Sequence, residues 1–256
     1  MYQSLMESRS LWLHLAGKDL KSRFRGTSLG LIWLFVNLIF TFTATAFIWS
    51  TLFKLNFLNF LIYIGCGFSV WALITSITIG GSTSILTAIS MFLNSTTKLI
   101  IAPARITMNA IYIYLISMAI PFVVAIATRS TSLLNVLSSI LGSFLVIICL
   151  FHLSVILAYL GIKYKDLTQA LTVLFQFAWV VTPIIYKTSM LTEHHLGTLL
   201  DLNPLAWFVA VIRDPLLTKN FDLSIKLVYI LVLVLINFVI IRLINKKEGR
   251  DFLLYA

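Results

Sequence analysis

The stretch KSRFRGTSLGLIWLFV, from Lys21 to Val36, changes its chemical character at Gly26. Three cationic side chains lie within its first five residues, and after Arg25 the chain carries no charge until Lys54. A helix of about 20 apolar residues crosses the hydrocarbon core of a bilayer, and cationic residues collect at the headgroups beside it. The stretch therefore predicts a basic segment at a membrane surface, followed from Leu29 by a helix that enters the bilayer.

The composition of the whole chain agrees with a membrane class. Of its 256 residues, 60% are hydrophobic and 11% are charged, and the mean hydropathy is +1.00. Soluble domains are about one quarter charged. The net charge of +10 is also compatible with nucleic acid binding, but the cations lie at the ends of apolar runs and not on a polar face with aromatic residues. No nucleic acid partner is expected.

The uncharged runs predict an all-α integral membrane protein with six transmembrane helices in a single domain over residues 1–256. The predicted spans are 29–53, 59–86, 106–128, 135–160, 167–186 and 223–244.

Three segments outside these spans also carry information. Residues 1–26 place apolar side chains among basic ones, which predicts an amphipathic helix in the inner interface. Residues 87–105 form the longest predicted cytoplasmic loop. Residues 187–222 are too apolar for an ordinary outer loop, and their prolines at 204 and 215 indicate short re-entrant or interfacial helices between the fifth and sixth spans.

The distribution of Lys and Arg predicts the orientation. With the N-terminus inside, the inner segments hold 13 of these residues and the outer segments hold 6. Cytoplasmic segments of membrane proteins are enriched in Lys and Arg. Both termini are therefore expected in the cytoplasm.

Several kinds of chemistry are disfavoured. None of the nine acidic residues falls inside a predicted span, which argues against an ion-coupled carrier. The sequence has no GxxxxGK[ST] phosphate loop, so the chain is not expected to hydrolyse ATP alone. His194 and His195 are adjacent and make a poor metal pair. Cys66 and Cys149 lie in apolar runs without metal-site spacing, and no metal site is expected.

Five short motifs follow one another along nearly the whole chain. An opening Arg, Leu-Gly and Trp element is carried by Arg25, Leu29, Gly30 and Trp33. After the second span comes NSTTKLIIAPARI, with Asn94, Lys98, Pro103 and Arg105. The remaining three are YKDL at 164–167, FAWVVTPIIY at 177–186, and LNPLAWFVAVIR with Leu202, Asn203, Pro204 and Arg213.

In this order the motifs resemble those of the permease subunits of ABC-2 type exporters, specifically those that export polysaccharides such as O-antigen, capsule or teichoic acid. The match has departures. Ala104 separates the Pro-Arg pair, Lys165 stands where the family has Arg, and Thr182 stands where Ser is common.

The resemblance implies a homodimer of six-span subunits around one pore in the bacterial inner membrane, and two copies of a separate ATP-binding subunit. That subunit binds ATP and Mg, so no cofactor is expected in this chain, which is a transport subunit and not an enzyme. The implied substrate is a glycan linked to polyprenyl pyrophosphate. The inner segment around Asn94, Lys98, Pro103 and Arg105 is then the expected coupling surface for the ATPase subunit.

The expected pyrophosphate-binding residues are Lys21, Arg23 and Arg25, because guanidinium and ammonium groups at headgroup depth suit a pyrophosphate. The alternative is that these cations fix the topology and contact ordinary lipid. At the outer mouth, Asn203 is expected to cap the helix that starts at Pro204. Arg213 is expected either to gate the outer mouth or to brace it.

A sugar chain passes most easily along aromatic faces that stack weakly and repeatedly on pyranose rings. The alternative for such residues is a lipid-facing belt or helix packing. The expected channel aromatics are Trp33, Tyr63, Trp71, Phe175, Phe177 and Trp179.

Two other functions remain open at this point. One is an ABC-2 permease for a drug or another lipid. The other is an intramembrane enzyme such as a glycan acyltransferase, which is disfavoured because histidines and carboxylates do not converge on the end of a span.

Overall fold

The computed structural model describes residues 2–89, 99–188, 197–219 and 225–248, and within these ranges every regular element is helical. The first elements are α1 (Tyr2–Glu7), α2 (Arg9–Ser22), α3 (Ile32–Leu52), α4 (Phe57–Thr87), α5 (Ile101–Ala127) and α6 (Leu133–Lys163). They are followed by α7 (Leu167–Val181), α8 (Gly197–Leu202), α9 (Pro204–Arg213), a 3-10 turn (Asp214–Leu217) and α10 (Lys226–Glu248).

Five helices in the described part of the chain are long and apolar enough to cross a membrane, namely α3, α4, α5, α6 and α10. The shortest of these spans has 19 residues, close to the roughly 20 that a bilayer core requires. The chain is therefore a multi-pass membrane protein. The fifth predicted span, 167–186, is represented by α7, which has 15 residues and reaches only about 22 Å at 1.5 Å per residue.

The long helices differ in how much of their surface the protein covers. The most apolar window of α4 is 67% buried and that of α6 is 56% buried, against 11% for α3 and 17% for α10. The core therefore lies around α4 and α6, while α3 and α10 present most of their apolar surface outward. In a membrane protein such surface faces lipid or another subunit.

Small residues let α4 and α6 approach closely. A Cβ atom at Gly161 of α6 would overlap the carbonyl group of Ser82 on α4, and one at Gly81 would press on Ser154. Ile85 and Ala88 at the end of α4 pack with Ile162 at the end of α6. We call this end of the bundle, where α2 also packs, the near end, and the opposite end the far end.

The predicted amphipathic helix over 1–26 is divided into α1 and α2 at Ser8. The indole nitrogen of Trp12 donates a hydrogen bond to the Leu5 carbonyl, 3.0 Å away. In a continuous helix that carbonyl would accept from the backbone N–H of Arg9, so the side chain replaces a helical partner. Ala16 and Leu20 are buried as α2 packs on α5.

A glycine turn joins α2 to α3. Gly26 has φ of +83° and Gly30 has φ of +55°, values that glycine adopts without the steric cost of a Cβ atom. Gly26 is thus the break before the first span, as its position in the opening stretch predicts.

Candidate functional site

A groove of about 390 Å³ lies between α4 and α7. Its lining residues recur at helical spacing on both helices, so each helix contributes one face. They are Trp71, Thr75 and Ile79 on α4, with Thr172, Phe175, Gln176 and Trp179 on α7. None of these lining residues is charged.

The aromatic rings of the groove hold one another in edge-to-face pairs. The ring centroids of Trp71 and Phe175 are 5.7 Å apart at an interplanar angle of 75°. Those of Trp71 and Trp179 are 5.3 Å apart at 67°. Phe68 stacks on Trp179 at 5.5 Å and 8°. Such arrangements suit the ring quadrupoles and fix the orientation of the rings.

Polar atoms lie between these rings. The Thr75 hydroxyl donates to the Trp71 carbonyl at 2.9 Å, and the Thr172 hydroxyl donates to the Thr168 carbonyl at 2.8 Å. Each hydroxyl oxygen keeps lone pairs that can accept a further hydrogen bond, and the exposed amide of Gln176 both donates and accepts. Aromatic faces with a few neutral hydrogen-bonding groups are chemically suited to sugar rings, which have apolar C–H faces and hydroxyl edges.

The structure brings three of the six predicted channel aromatics together in this groove, namely Trp71, Phe175 and Trp179. Trp33 is exposed on the first turn of α3, and Phe177 is exposed on α7. Tyr63 is buried at the far end, where it contacts Arg213.

Sequence reasoning missed the polar members Thr75, Thr172 and Gln176. Thr75 lies four residues after Trp71, and Gln176 lies four residues after Thr172 and three before Trp179. This helical spacing was the signal that could have identified them.

Arg213 is the centre of a far-end cluster formed by Tyr63, Pro183, Arg213 and Asp214. The Arg213 side chain is 1% exposed, and its guanidinium carbon lies 3.9 Å from the centroid of the Tyr63 ring. Its Nη1 donates to the Pro183 carbonyl at 2.7 Å, and its Nε donates to Asp214 Oδ1 at 3.2 Å. The buried guanidinium is thus compensated by a carboxylate, a carbonyl oxygen and an aromatic face.

The far-end cluster satisfies a stretch of irregular backbone. Helix α7 ends at Val181, and Thr182 is extended. The Tyr63 hydroxyl lies 2.7 Å from the Tyr186 carbonyl oxygen and 3.2 Å from that of Pro183. Non-helical backbone at membrane depth is tolerated only where protein or water satisfies it. Tyr63 and Arg213 supply those partners here.

Asn203 connects the same stretch to α9. Its Oδ1 accepts from the backbone N–H of Leu205 at 3.0 Å, which confirms the predicted cap of the helix that starts at Pro204. Its Nδ2 donates to Thr182 Oγ1 at 3.1 Å.

Side chains from the α5–α6 connection and from α6 bind the carbonyls at the end of α9 and of the 3-10 turn. The four hydrogen bonds join Ser130 to Leu216, Thr131 to Pro215, Asn135 to Thr218 and Ser139 to Ile212, at 2.7–3.1 Å. Together with Arg213, these contacts anchor the segment to its neighbours, which is the geometry of a brace.

The three cations of the opening stretch lie at the near end. Lys21 is in the last turn of α2, and Arg23 and Arg25 belong to the turn that follows. All three are exposed. Arg23 also donates from Nη2 to Asn109 Oδ1 on α5, at 3.3 Å. Exposed cations this close in sequence form a positive patch that suits an anionic group.

Of the predicted coupling residues, Asn94 and Lys98 lie outside the described residues. Pro103 and Arg105 are in the first turns of α5, where a proline costs no helical hydrogen bond. The guanidinium of Arg105 is directed to α2 and forms two short hydrogen bonds with Asp19. Its Nε is 2.6 Å from Oδ2, and its Nη2 is 2.5 Å from Oδ1.

No protein-family model matches the sequence. The chain is 21% identical over 206 residues to the O-antigen export system permease protein RfbA of Myxococcus xanthus. The alignment covers 80% of this chain and 79% of that protein.

The chain is a distant homologue of an O-antigen export permease. The resemblance inferred from the five motifs is thereby confirmed, and it extends over most of the chain. That relative is named as an export permease and not as an enzyme, which favours transport over the intramembrane acyltransferase.

The permease homologue offers no evident centre for metal chemistry in the part of the chain that the structure describes. There, no group of three or more His, Cys, Asp or Glu side chains is placed to hold a metal ion. Cys66 and Cys149 are both buried and reduced.

Proposed function

We propose that the chain is the permease subunit of an ATP-driven exporter that moves a polysaccharide linked to polyprenyl pyrophosphate, such as O-antigen, across the bacterial inner membrane. The observation that carries the proposal is the groove between α4 and α7, with its fixed aromatic rings and neutral polar groups. A polymer that slides needs many weak contacts, and an uncharged aromatic surface provides them. The homology to an O-antigen export permease supports the same substrate class.

In this proposal α7 completes a sixth span. Its 15 helical residues are continued by Thr182–Tyr186, whose carbonyls are satisfied by Tyr63 and Arg213. A helix with an irregular but hydrogen-bonded end is an acceptable way to reach the far side of a bilayer. Six spans then place the near end and both termini in the cytoplasm, in agreement with the Lys and Arg distribution.

The pore is formed by two copies of the chain. The groove is open along one side, and α3 is largely uncovered, with its most apolar window 11% buried. A second copy related by two-fold symmetry would close the groove against its own equivalent face. The exposed aromatics Trp33 and Phe177 belong to the outward surface that lipid or this second copy covers.

Energy comes from a separate ATP-binding subunit that docks at the near end, one on each copy. The sequence has no phosphate loop of its own. The segment 87–105, with Asn94 and Lys98, is the proposed docking surface. In the same proposal, the pyrophosphate of the lipid carrier is bound at headgroup depth through charge-assisted hydrogen bonds from Lys21, Arg23 and Arg25. The outer mouth is formed by the segment around Asn203, Pro204 and Arg213.

The experiment is to co-purify the chain with its ATPase subunit and to identify the bound lipid by mass spectrometry. We expect a polyprenyl pyrophosphate that carries a glycan, and export of that glycan on ATP addition in proteoliposomes. A bound drug-like molecule or a lipid without sugar would favour the alternative ABC-2 permease. Export that needs no ATPase subunit would exclude the proposal altogether.

The groove has its own test in the same assay. The double variant Trp71→Ala and Trp179→Ala removes two stacking faces, and we expect export to fall about tenfold or more, since stacking contributes roughly 1 kcal/mol per ring. Gln176→Leu keeps the size of the side chain and removes its hydrogen bonds, and should lower export less. Phe144→Ala, at an exposed ring on α6, is the matched control and should export normally.

A further inference from the structure

Asp19 is an acidic residue in an otherwise basic stretch. It lies between Lys18 and Lys21, in a helix whose other charges suit a surface of anionic headgroups. An acid at such a surface is repelled unless it has a cationic partner. Arg105 of α5 is that partner, in a two-bond contact with both carboxylate oxygens.

Asn109 extends the contact by one helical turn. It lies four residues after Arg105, so both side chains are on the same face of α5. Its Nδ2 donates to the Ala16 carbonyl at 3.1 Å, and its Oδ1 accepts from Arg23 Nη2 at 3.3 Å. Three points on one side of α2 are thus attached to two neighbouring side chains of α5.

The beginning of α5 is itself held by the packed near end of the bundle. Leu99 and Ala102 pack in the cluster formed by Ile85 and Ala88 of α4 and Ile162 of α6. Residues 87–105 include both this attachment and the proposed docking surface. That segment runs directly into the first turns of α5, so a displacement of its docked part would act on Arg105 through the covalent chain.

On its other side α2 is joined to α3 through the turn that contains Gly26 and Gly30, both at positive φ. Glycines at such positions are common where a chain must change direction between two elements. The position of α2 relative to the bundle is therefore defined by its contact with α5 more than by its link to α3.

We propose that Asp19, Arg105 and Asn109 form a clamp through which α5 positions the basic residues of α2, so that movement of the ATPase-binding segment is transmitted to the groups that bind the lipid pyrophosphate. The inference rests on the proposed function. Asp19, Arg105 and Asn109 are positioning residues. Arg105 holds Asp19, and Asn109 contacts Ala16 and Arg23, so the three set where the positive patch lies. A partly exposed ion pair contributes little to folding stability, so its removal should alter the placement of α2 and not assembly.

A spin label at position 18 tests the clamp in the full complex of permease and ATPase subunit. Lys18 is exposed, and the native Cys66 and Cys149 are buried, so the K18C variant labels at one site per chain. The distance between labels in the two copies is measured without nucleotide and with ATP and vanadate. We expect a shift of the distance distribution in the otherwise wild-type complex.

Asp19→Asn keeps the shape of the side chain and removes its charge. We expect it to bind the ATPase subunit normally, to lose the nucleotide-dependent shift, and to lower ATP-driven export about fivefold or more, the lower range of measured couplings between sites. The charge reversal Asp19→Arg with Arg105→Asp should restore both readouts. Asp166→Asn, at an exposed acid without a cap hydrogen bond to α7, is the matched control and should behave as wild type.

The failures of the two proposals are distinguishable. A wild-type complex that exports with ATP but shows no shift at position 18, or an Asp19→Asn variant with an unchanged shift, would overturn the clamp and leave the function intact. A reversed pair that stays uncoupled would also overturn it. A chain that neither binds an ATPase subunit nor exports would remove the proposed function and the clamp together.

Discussion

The far-end cluster and the near-end clamp each place a guanidinium beside a carboxylate, yet the two sites differ in nearly every other respect. The Arg213 side chain is 1% exposed and its Asp214 partner 51%, whereas Arg105 and Asp19 are 31% and 29% exposed. Asp214 is the next residue in the chain, and Asp19 is 86 residues from Arg105. Arg213 also bonds a backbone carbonyl and covers an aromatic ring.

The difference shows what each cation does. A buried cation with a carbonyl, a ring and a carboxylate around it is costly to separate from any of them, so the far-end cluster holds its segment in one arrangement. A pair whose side chains are about one third exposed can open at small cost, because water replaces the lost contact. The near end is therefore suited to movement and the far end to support.

The strongest way to break this contrast is to remove Arg213. Arg213→Met keeps an unbranched side chain of similar length but leaves the Pro183 carbonyl with one partner fewer. Because the site is buried, we expect a loss of about 3 kcal/mol in the free energy of unfolding, measured by thermal unfolding of the purified protein in detergent. Lys219→Met, an exposed cation in the same segment, should change stability little. A fully stable Arg213→Met protein would show that the far-end cluster is not a brace.

A second change tests rigidity at the near end apart from its charges. Gly161→Val forces a branched side chain against the Ser82 carbonyl, where even a Cβ atom overlaps. We expect about 2 kcal/mol of destabilisation through overpacking, in the same unfolding assay. Gly17→Val on α2 is the comparison, since a Cβ atom there meets nothing within 4 Å. Equal effects of the two variants would mean that the α4–α6 contact does not hold the near end together.

A smaller effect is expected when the far-end cluster loses only one hydroxyl. Tyr63→Phe keeps the ring beneath Arg213 and removes the hydrogen bond to the carbonyls of Pro183 and Tyr186. We expect about 1 kcal/mol of destabilisation, the usual worth of a neutral hydrogen bond. Tyr164→Phe, at an exposed ring, serves as the control. A loss as large as that of Arg213→Met would place the main support in the hydroxyl and not in the cation.

The limits of sequence reasoning follow the same division between local and distant contacts. Five of the six predicted spans correspond to helices long enough to cross a membrane, and they could be predicted because charges interrupt the apolar runs. The Asn203 cap could be predicted because an Asn directly before a helix that starts with proline commonly caps that helix. The fifth span was predicted to extend to residue 186, and α7 ends at Val181; the signal for this end was Thr182, because a residue before proline disfavours helical geometry. Each of these depends on residues that are close together in the chain.

The pairings that define the two ends were not accessible. The resemblance implied that Arg105 belongs to the coupling surface for the ATPase subunit, and the structure pairs its guanidinium with Asp19 on α2. Tyr63 was grouped with the channel aromatics by its residue type and its place on the second span, and the structure places its ring against Arg213. Both contacts arise from the packing of helices that are far apart in sequence, which periodicity and charge counts do not encode.

The smallest stability effect is expected at the clamp itself. Asp19→Asn should lower the free energy of unfolding by less than about 1 kcal/mol, because both partners are about one third exposed and water compensates for the lost pair. High salt should reduce the difference between variant and wild type further, since exposed charges are screened. Asp166→Asn is again the control. A loss comparable to that of Arg213→Met would mean that the near-end pair is a brace as well, and the contrast between a supporting end and a moving end would no longer hold.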